Sequence, residues 1–130
     1  MSGIDFLSLP EVLLAHKDQI VRYGGDPGVR DSGLLESAIA QPQASYDGDF
    51  LHDFPFEMAA AYLFHIVQNH PFVDGNKRTG AVVALLFLEL NNVGITAPVG
   101  SIYDVTIAVA NGLTDKKEIA AFFRRHAIRN

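Results

Sequence analysis

The stretch HPFVDGNKRTG, residues 70–80, places several side chains capable of chemistry directly before an apolar run that continues to Leu90. Within it, His70 is the side chain that can take up or release a proton near neutral pH. If a helix begins inside this stretch, the backbone N–H groups of residues 75–78 have no partner within that helix. Such a helix start binds anions, because the positive end of the helix dipole lies there. The stretch therefore predicts an anion site beside a titratable histidine.

The residue types around this helix start suit a polyphosphate. Gly75 lets the backbone approach a ligand closely, and Asn76 can donate from a short amide side chain. Lys77 and Arg78 add positive charge, and the Arg78 guanidinium can bind a phosphate group as a fork. Together these residues predict contacts to a chain of phosphate groups.

The acid of the stretch, Asp74, would by itself repel phosphate. Its position is understandable if it binds Mg²⁺, which proteins hold through one or two carboxylates together with phosphate oxygens. His70 would then be a general base beside a metal-bound nucleotide, an arrangement suited to transferring a phosphorus group onto a hydroxyl.

Each of these residues also has a purely structural interpretation. The His-Pro-Phe sequence at 70–72 is typical of loop packing, Asp74 could cap a helix, and Lys77 with Arg78 could form a solvated helix edge. Their occurrence together at the start of one apolar helix is what favours function. From the residues alone, the prediction is a phosphate site, and whether it is catalytic stays open.

Helical patterns surround the stretch and must position it. Ser8 and Pro10 mark the start of a helix that Gly24 ends, and its inner face is predicted to contain Val12, Leu13, Ile20 and Val21. Further helices are expected after Asp31 as N-cap, from Pro55, from about Lys77 to Leu90, from a Ser101–Asp104 capping box to Ala110, and from Asp115 to about Ala127. Residues 95–99 read as a short extended piece, and the Asp-Gly pair at 47–48 as a hairpin turn. The predicted fold class is all-α, with about six helices and one short β-hairpin.

Composition narrows the class of protein. The chain has 130 residues, enough for a single domain, and 48% of them are hydrophobic. Its net charge of −5 argues against direct binding of nucleic acid. It contains no cysteine, which excludes disulfides and thiolate metal sites. We expect no signal peptide and no membrane span, and therefore a cytoplasmic protein.

The stretch resembles the signature of a known family. HPFVDGNKRTG is similar to the HPFxDGNGRxxR motif of the Fic branch of the Fic/Doc proteins, and DSGLLESAIAQPQ, residues 31–43, is similar to an early helix of the death-on-curing (Doc) branch. Length and helical layout agree as well. The resemblance covers nearly the whole chain and implies a single Fic/Doc-like domain over residues 1–130.

The resemblance implies a role for each matching position. His70 would be the general base that takes the proton from a hydroxyl of a target protein, and Asp74 would bind Mg²⁺ at the nucleotide phosphates. Gly75, Asn76, Lys77 and Arg78 would bind phosphate, with Lys77 and Arg78 counted among the catalytic residues, and Phe72 would anchor the loop in the core. A hairpin flap that lines up the target segment is expected at Tyr46, Asp47, Gly48, Asp49 and Phe50.

Two departures from the Fic motif bear on the reaction. Fic adenylyltransferases have glycine where this chain has Lys77, and a second arginine where it has Ala81. A lysine fills the space that glycine leaves for phosphate, and loss of the second arginine removes a clamp on the distal phosphate. Both changes match the Doc branch, in which the nucleotide lies inverted. The resemblance therefore implies a protein kinase that uses ATP and Mg²⁺ and transfers the γ-phosphate to a Ser or Thr hydroxyl.

The Doc branch also implies partners. Elongation factor Tu is a candidate target, whose modification would block translation, and a small antitoxin with a segment that folds on binding is the expected inhibitor. The (S/T)xxxE(G/N) inhibitory helix of some Fic proteins has no match in this chain. Two other functions remain open: a Fic-type adenylyltransferase that uses the same site, and a non-catalytic domain that binds phosphate or a partner.

The remaining polar residues receive weaker interpretations. His65 and His70 are poorly spaced for two metal ligands on one helix, so His65 is predicted to be a packed or hydrogen-bonded helix residue. His16, His52 and His126 are placed at the surface or at helix ends and are assigned no function. Arg22 and Arg30 could reach an anion, but the sequence does not connect them to the site.

Overall fold

The structure, a computed structural model, describes residues 3–129, and most of these are helical. The helices are α1 (Leu9–Tyr23), α2 (Ser32–Ala40), α3 (Phe56–Asn69), α4 (Asn76–Leu90), α5 (Ser101–Ala110) and α6 (Lys116–Arg125), with a 3₁₀ turn at Gln41–Gln43. The strands are β1 (Ser45–Tyr46), β2 (Asp49–Phe50), β3 (Val93–Ile95) and β4 (Ala127–Arg129). The all-α prediction is confirmed. None of the helices in residues 3–129 combines the length and the hydrophobicity that a membrane span requires.

Helix α3 forms the centre of the core. Its residues from Met58 to Leu63 are at most 1% exposed, and it packs against α2, α4 and α6. Alanines at 59–61 keep this segment thin, so that neighbouring helices approach closely. Because α3 ends directly before the 70–75 loop and α4 begins directly after it, the best-packed pair of helices holds both ends of that loop.

Helices α3 and α4 lie close together at Gly80 in the first half of α4. A Cβ at Gly80 would lie 3.0 Å from Val67 Cγ2 and 3.3 Å from the Leu63 carbonyl oxygen of α3. The backbone oxygen cannot move aside as a flexible side chain could. Gly80 is therefore needed for the packing that holds the loop.

Replacing Gly80 by alanine should push α4 away from α3. We expect the free energy of unfolding to fall by about 1–3 kcal/mol, the usual cost of overpacking a core, measured by urea denaturation. Gly33→Ala in α2 is the matched control, because a Cβ there would meet only the flexible Asp31 carboxylate at 3.4 Å. The control should be neutral or stabilising by up to about 1 kcal/mol, since alanine favours helix over glycine. Equal losses in both variants would contradict this account.

The start of α1 agrees with the prediction, while part of its buried face does not. The Ser8 side chain accepts from the Glu11 N–H, and the Glu11 carboxylate accepts from Ser8, which forms a capping box ahead of Pro10. Val21, predicted to face inward, is 76% exposed. The inner face is instead completed by His16 and Gln19, which are both buried.

Two predictions about the C-terminal third are wrong. The helix after residue 100 is not capped by Ser101, because Gly100 is the N-cap and the Ser101 hydroxyl donates to the Pro98 carbonyl. The last helix does not reach Ala127, because Ala127–Arg129 pairs antiparallel with Val93–Ile95. The latter strand is the extended piece expected at 95–99, shifted toward the N-terminus.

The predicted hairpin is present. Ser45 pairs with Phe50 and Tyr46 with Asp49, and both turn residues, Asp47 and Gly48, have positive φ angles of 53° and 87°. Positive φ at both central positions is the geometry that Asp-Gly hairpin turns favour.

Candidate active site

His70 lies at the junction between α3 and the loop. It is the C-cap of α3, with φ 50° and ψ 54° in the left-handed region, and its side chain is exposed. The Arg30 guanidinium donates from Nε to the His70 carbonyl oxygen at 2.7 Å and from Nη2 to the Asn69 carbonyl oxygen at 3.0 Å. A left-handed non-glycine residue costs roughly 1–2 kcal/mol, and the Arg30 fork offsets part of that cost. Arg30 therefore fixes the backbone from which the His70 side chain projects.

A second loop runs antiparallel to the first and supports it. Val29 and Phe72 form a β-bridge, the Val73 N–H donates to the Gly28 carbonyl at 3.0 Å, and the Arg30 N–H donates to the Pro71 carbonyl at 2.7 Å. The Phe72 side chain is fully buried, as its predicted role as an anchor requires. Residues 28–31 thus hold the residues that follow His70 in an extended conformation.

Asn76 has a different use from the one predicted. Its side chain accepts from the Phe72 N–H and donates to the Phe72 carbonyl, both at 2.9 Å, and it is only 4% exposed. The amide side chain therefore closes the loop on itself instead of pointing at a ligand. An anion at this helix start would meet the backbone N–H of Asn76 and not its side chain.

The first turn of α4 has the geometry that the predicted anion site requires, and its binding of an anion stays a prediction. Gly75 is the N-cap with φ 81°, and within residues 3–129 no acceptor binds the backbone N–H groups of Asn76, Lys77 and Arg78. The charged side chains of Lys77 and Arg78 are exposed. A cavity of about 190 Å³ lies in front of these groups and is also lined by Tyr103 of α5. Unpaired amides, the helix dipole and two cations together favour a multiply charged anion.

An apolar groove adjoins this cavity. The Arg78 guanidinium lies over the Tyr23 ring at 4.8 Å, which orients its fork. From there a cavity of about 330 Å³ extends along α4 past Ala81 and Leu85, with Tyr103 shared between the two spaces. The site therefore combines a charged end with a long apolar wall.

Asp74 is held from two directions. Its Oδ2 accepts from the Asp26 N–H at 2.7 Å, and its carbonyl oxygen lies 2.8 Å from His16 Nε2. Gly25 permits this approach, because a Cβ there would lie 3.0 Å from Asp74 Cβ, and its φ of 119° suits only glycine. Asp74 Oδ1 has no hydrogen bond within the described residues, and the side chain is exposed beside the anion site. An oriented carboxylate next to a phosphate site fits Mg²⁺ shared with phosphate oxygens.

Comparison with known proteins identifies the family of this chain. The sequence model of the Fic/DOC family matches residues 6–88, which include α1 to α3, the loop described above and most of α4. The chain belongs to the Fic/Doc family. It is 39% identical over 118 residues to the "Protein kinase doc" of Escherichia phage P1, covering 89% of this chain and 91% of the phage protein. It is 38% identical over 119 residues to the "Toxin Doc" of Mycolicibacterium smegmatis, covering 90% and 89%. The predicted resemblance to the Doc branch is confirmed.

The hairpin of this Fic/Doc domain packs beside the core. The Phe50 ring contacts Phe6 at 5.7 Å between centroids, and Phe6 stacks on Phe87 of α4. Among the described residues, no hydrogen bond or ring contact joins residues 45–50 to residues 70–78. Tyr46 is 78% exposed and free to meet another protein. A role of the hairpin in positioning a target therefore stays a prediction.

His65 belongs to a separate polar cluster of the Fic/Doc domain. Lys116 Nζ lies 2.9 Å from His65 Nε2 and 3.1 Å from His52 Nε2. An ammonium group only donates, so both imidazole nitrogens accept. The prediction that His65 is a hydrogen-bonded helix residue is confirmed, whereas His52, expected at the surface, is half-buried. Within residues 3–129, no set of three His, Cys, Asp or Glu side chains is arranged to hold a metal ion.

This cluster keeps its histidines uncharged. Burial, followed by the neighbouring Lys116 charge and His52, lowers the pKa of His65 to about 4. Burial and Lys116 also lower the pKa of His52, opposed by the Glu57 carboxylate. Protonating either ring would place a second positive charge against the Lys116 ammonium.

The stability of the protein should therefore fall at acidic pH. In the unfolded chain His65 takes up a proton near its ordinary pKa of 6.5, but in the folded chain only near 4. Between these values the unfolded state binds more protons, so the free energy of unfolding falls as the pH drops through that window. Because His65 is only half-buried, we expect a loss of about 1–2 kcal/mol, measured by urea denaturation at pH 7 and pH 4.5.

His65→Gln isolates this contribution. Glutamine keeps an acceptor for Lys116 but cannot titrate, so the variant should lose less stability between pH 7 and pH 4.5 than the parent protein. His126→Gln, which replaces a histidine that does not contact Lys116, is the matched control for the substitution itself. The same pH dependence in the parent and in His65→Gln would refute the assignment.

Proposed function

We propose that this protein is a Doc-type toxin kinase that transfers the γ-phosphate of ATP to a Ser or Thr hydroxyl of a cytoplasmic protein. One observation carries the proposal: a single loop brings together the exposed His70 side chain, the oriented Asp74 carboxylate and the unpaired amides at the start of α4. A site that only binds phosphate has no need of a base. The relatives named for Doc toxin and Doc kinase activity support the same reaction class.

Each part of the loop has a place in the transfer. His70 accepts the proton of the target hydroxyl as its oxygen forms a bond to the γ-phosphorus. The bond from that phosphorus to the β–γ bridging oxygen breaks, and ADP leaves with the electron pair. The amides of Asn76, Lys77 and Arg78 stabilise the charge on the phosphate oxygens. Asp74 would hold Mg²⁺ together with the phosphates, and the ion would supply positive charge beside the leaving ADP.

Lys77 favours transfer of the γ-phosphate over transfer of AMP. It replaces the glycine of the Fic adenylyltransferase motif, and its exposed side chain extends into the space in front of the helix start. Ala81 lies one turn further along α4 and lines the apolar groove where those enzymes carry a second arginine. The charges that bind phosphate are therefore concentrated at Lys77 and Arg78, while the wall beyond them is apolar. This distribution supports a pose with the γ-phosphate at His70.

The proposal extends to partners. Elongation factor Tu is the candidate target, modified so that translation stops, with the hairpin of residues 45–50 as the surface that aligns the target segment. A small antitoxin whose disordered segment folds on the toxin is the proposed inhibitor, as expected for relatives named as toxins.

Incubation with ATP labelled at either the α- or the γ-phosphate tests the reaction. In a cell extract, and separately with purified elongation factor Tu, we expect protein-bound label from γ-labelled ATP alone. Label from α-labelled ATP would identify an adenylyltransferase, and no label from either would identify a binding domain. Mass spectrometry of the modified protein then shows whether a Ser or Thr residue carries the group.

A further inference from the structure

His16 of α1 lies outside the 70–80 stretch but makes direct contact with it. It is 2% exposed, and its ring stacks on Phe72 with 3.7 Å between centroids and an interplanar angle of 6°. Its Nε2 lies 2.8 Å from the Asp74 carbonyl oxygen. A carbonyl oxygen only accepts, so the imidazole donates from Nε2–H. His16 therefore contacts two residues of the loop through two different interactions.

The hydrogen bond from His16 fixes the peptide that joins Asp74 to Gly75. This peptide connects the carboxylate expected to bind Mg²⁺ to the N-cap of α4, and Gly75 has φ 81°. The carbonyl oxygen of Asp74 is thus held against α1, while its Oδ2 accepts from the Asp26 N–H. Rotation of the peptide would move the carboxylate and the first amides of α4 together.

We propose that His16 is a positioning residue that sets the orientation of the Asp74 carboxylate for Mg²⁺ and nucleotide binding. The effect on Mg²⁺ and nucleotide binding rests on the proposed function. The hydrogen bond from His16 to Asp74 does not depend on any ligand. Groups that orient a metal ligand commonly affect metal affinity by about 10- to 100-fold. His16 touches neither the proposed substrate nor the phosphates, so its influence acts through Asp74.

Two substitutions separate the hydrogen bond from the ring stack. His16→Phe keeps an aromatic ring on Phe72 and removes the donor. His16→Gln keeps a donor, since its side-chain nitrogen lies as many bonds from Cα as Nε2 does, and removes the ring. If only packing mattered, Phe would preserve every property and Gln would not.

The first measurement needs neither metal nor nucleotide. The Asp26 amide donates to Asp74 Oδ2, so its hydrogen-exchange rate reports whether the carboxylate stays in place. We expect this amide to exchange about five- to tenfold faster in His16→Phe, the equivalent of one hydrogen bond, with a melting temperature close to that of the parent. In His16→Gln the protection should be largely retained while the melting temperature falls. The proposal would be overturned if the Asp26 amide were as protected from exchange in His16→Phe as in the parent. It would also be overturned if both variants lost protection in proportion to their fall in melting temperature.

The second measurement tests the consequence for the site. Mn²⁺ in place of Mg²⁺, titrated with a non-hydrolysable ATP analogue, should bind about tenfold more weakly to His16→Phe and nearly normally to His16→Gln. If the exchange result holds but the parent protein binds no Mn²⁺–nucleotide, the proposed function fails while the positioning of Asp74 stands. If the parent binds Mn²⁺–nucleotide and His16→Phe binds it equally well, the positioning role fails while the proposed function stands.

Discussion

Removal of the His70 imidazole is expected to reduce phosphate transfer by about 10²- to 10⁴-fold, the usual contribution of a general base. His70→Ala tests this directly. His70→Asn is the better-matched variant, because asparagine tolerates the left-handed conformation that His70 adopts, and its side chain is not a base. Initial rates of γ-phosphate transfer at saturating ATP measure the effect on the chemical step.

Nucleotide binding should survive these substitutions. The amides of Asn76, Lys77 and Arg78 belong to α4, and the loop is closed by Asn76 and Phe72 independently of the His70 side chain. We therefore expect nearly unchanged affinity for ATP and Mg²⁺ by calorimetry. His126→Ala, at the end of α6, is the control and should retain full activity. A His70→Asn variant that transfers phosphate at the parent rate would remove His70 from the mechanism.

The local part of the fold could be predicted from the sequence. The helix start at Ser8 and Pro10, the N-caps at Asp31 and Asp115, and the Asp-Gly turn at 47–48 all formed where expected. These features depend on residues within one or two turns of each other, so a short window contains the information that determines them. The start of α4 directly after Gly75 is predictable for the same reason.

Contacts between distant segments were not predictable in this way. Ala127 appeared to continue a helix, because its strand partner lies some thirty residues earlier in the chain, at Ile95. Arg30 and His16 were left unassigned, although one holds the His70 carbonyl and the other the Asp74 carbonyl. For His16 a signal existed: it lies one helical turn from both Val12 and Ile20, which are buried. For Arg30 no pattern connects it with residue 70.

Asn76 shows why residue type alone does not assign a role. An asparagine beside a phosphate site can donate to the ligand or satisfy the loop, and both uses require the same amide. The structure shows the second, because the Phe72 N–H and carbonyl would otherwise be buried without partners. Any contact of Asn76 with a phosphate would therefore come from its backbone N–H and not from its side chain.

Asp74→Asn is expected to lower phosphate transfer by more than about 100-fold, beyond what groups around a metal ligand usually contribute. The substitution is nearly isosteric, and the asparagine oxygen can still accept from the Asp26 N–H, so the loop should keep its conformation. The amide nitrogen that replaces the other oxygen donates hydrogen bonds and cannot bind Mg²⁺. Transfer rates and calorimetric titrations of ATP, each with and without Mg²⁺, measure the effect.

Binding of ATP without metal shows whether Asp74 acts as a ligand of Mg²⁺ or only through its negative charge. The Asp74 carboxylate repels phosphate when no cation is present, so Asp74→Asn should bind metal-free ATP at least as tightly as the parent and gain little when Mg²⁺ is added. Asp26→Asn is the matched control, because it removes a neighbouring charge while keeping the acceptor for the Gly28 N–H. Its activity should change by at most about fivefold, as for other exposed charges. If Asp26→Asn were as inactive as Asp74→Asn, the loss of activity would follow from removing negative charge near the site. The assignment of Asp74 as the metal ligand would then be contradicted.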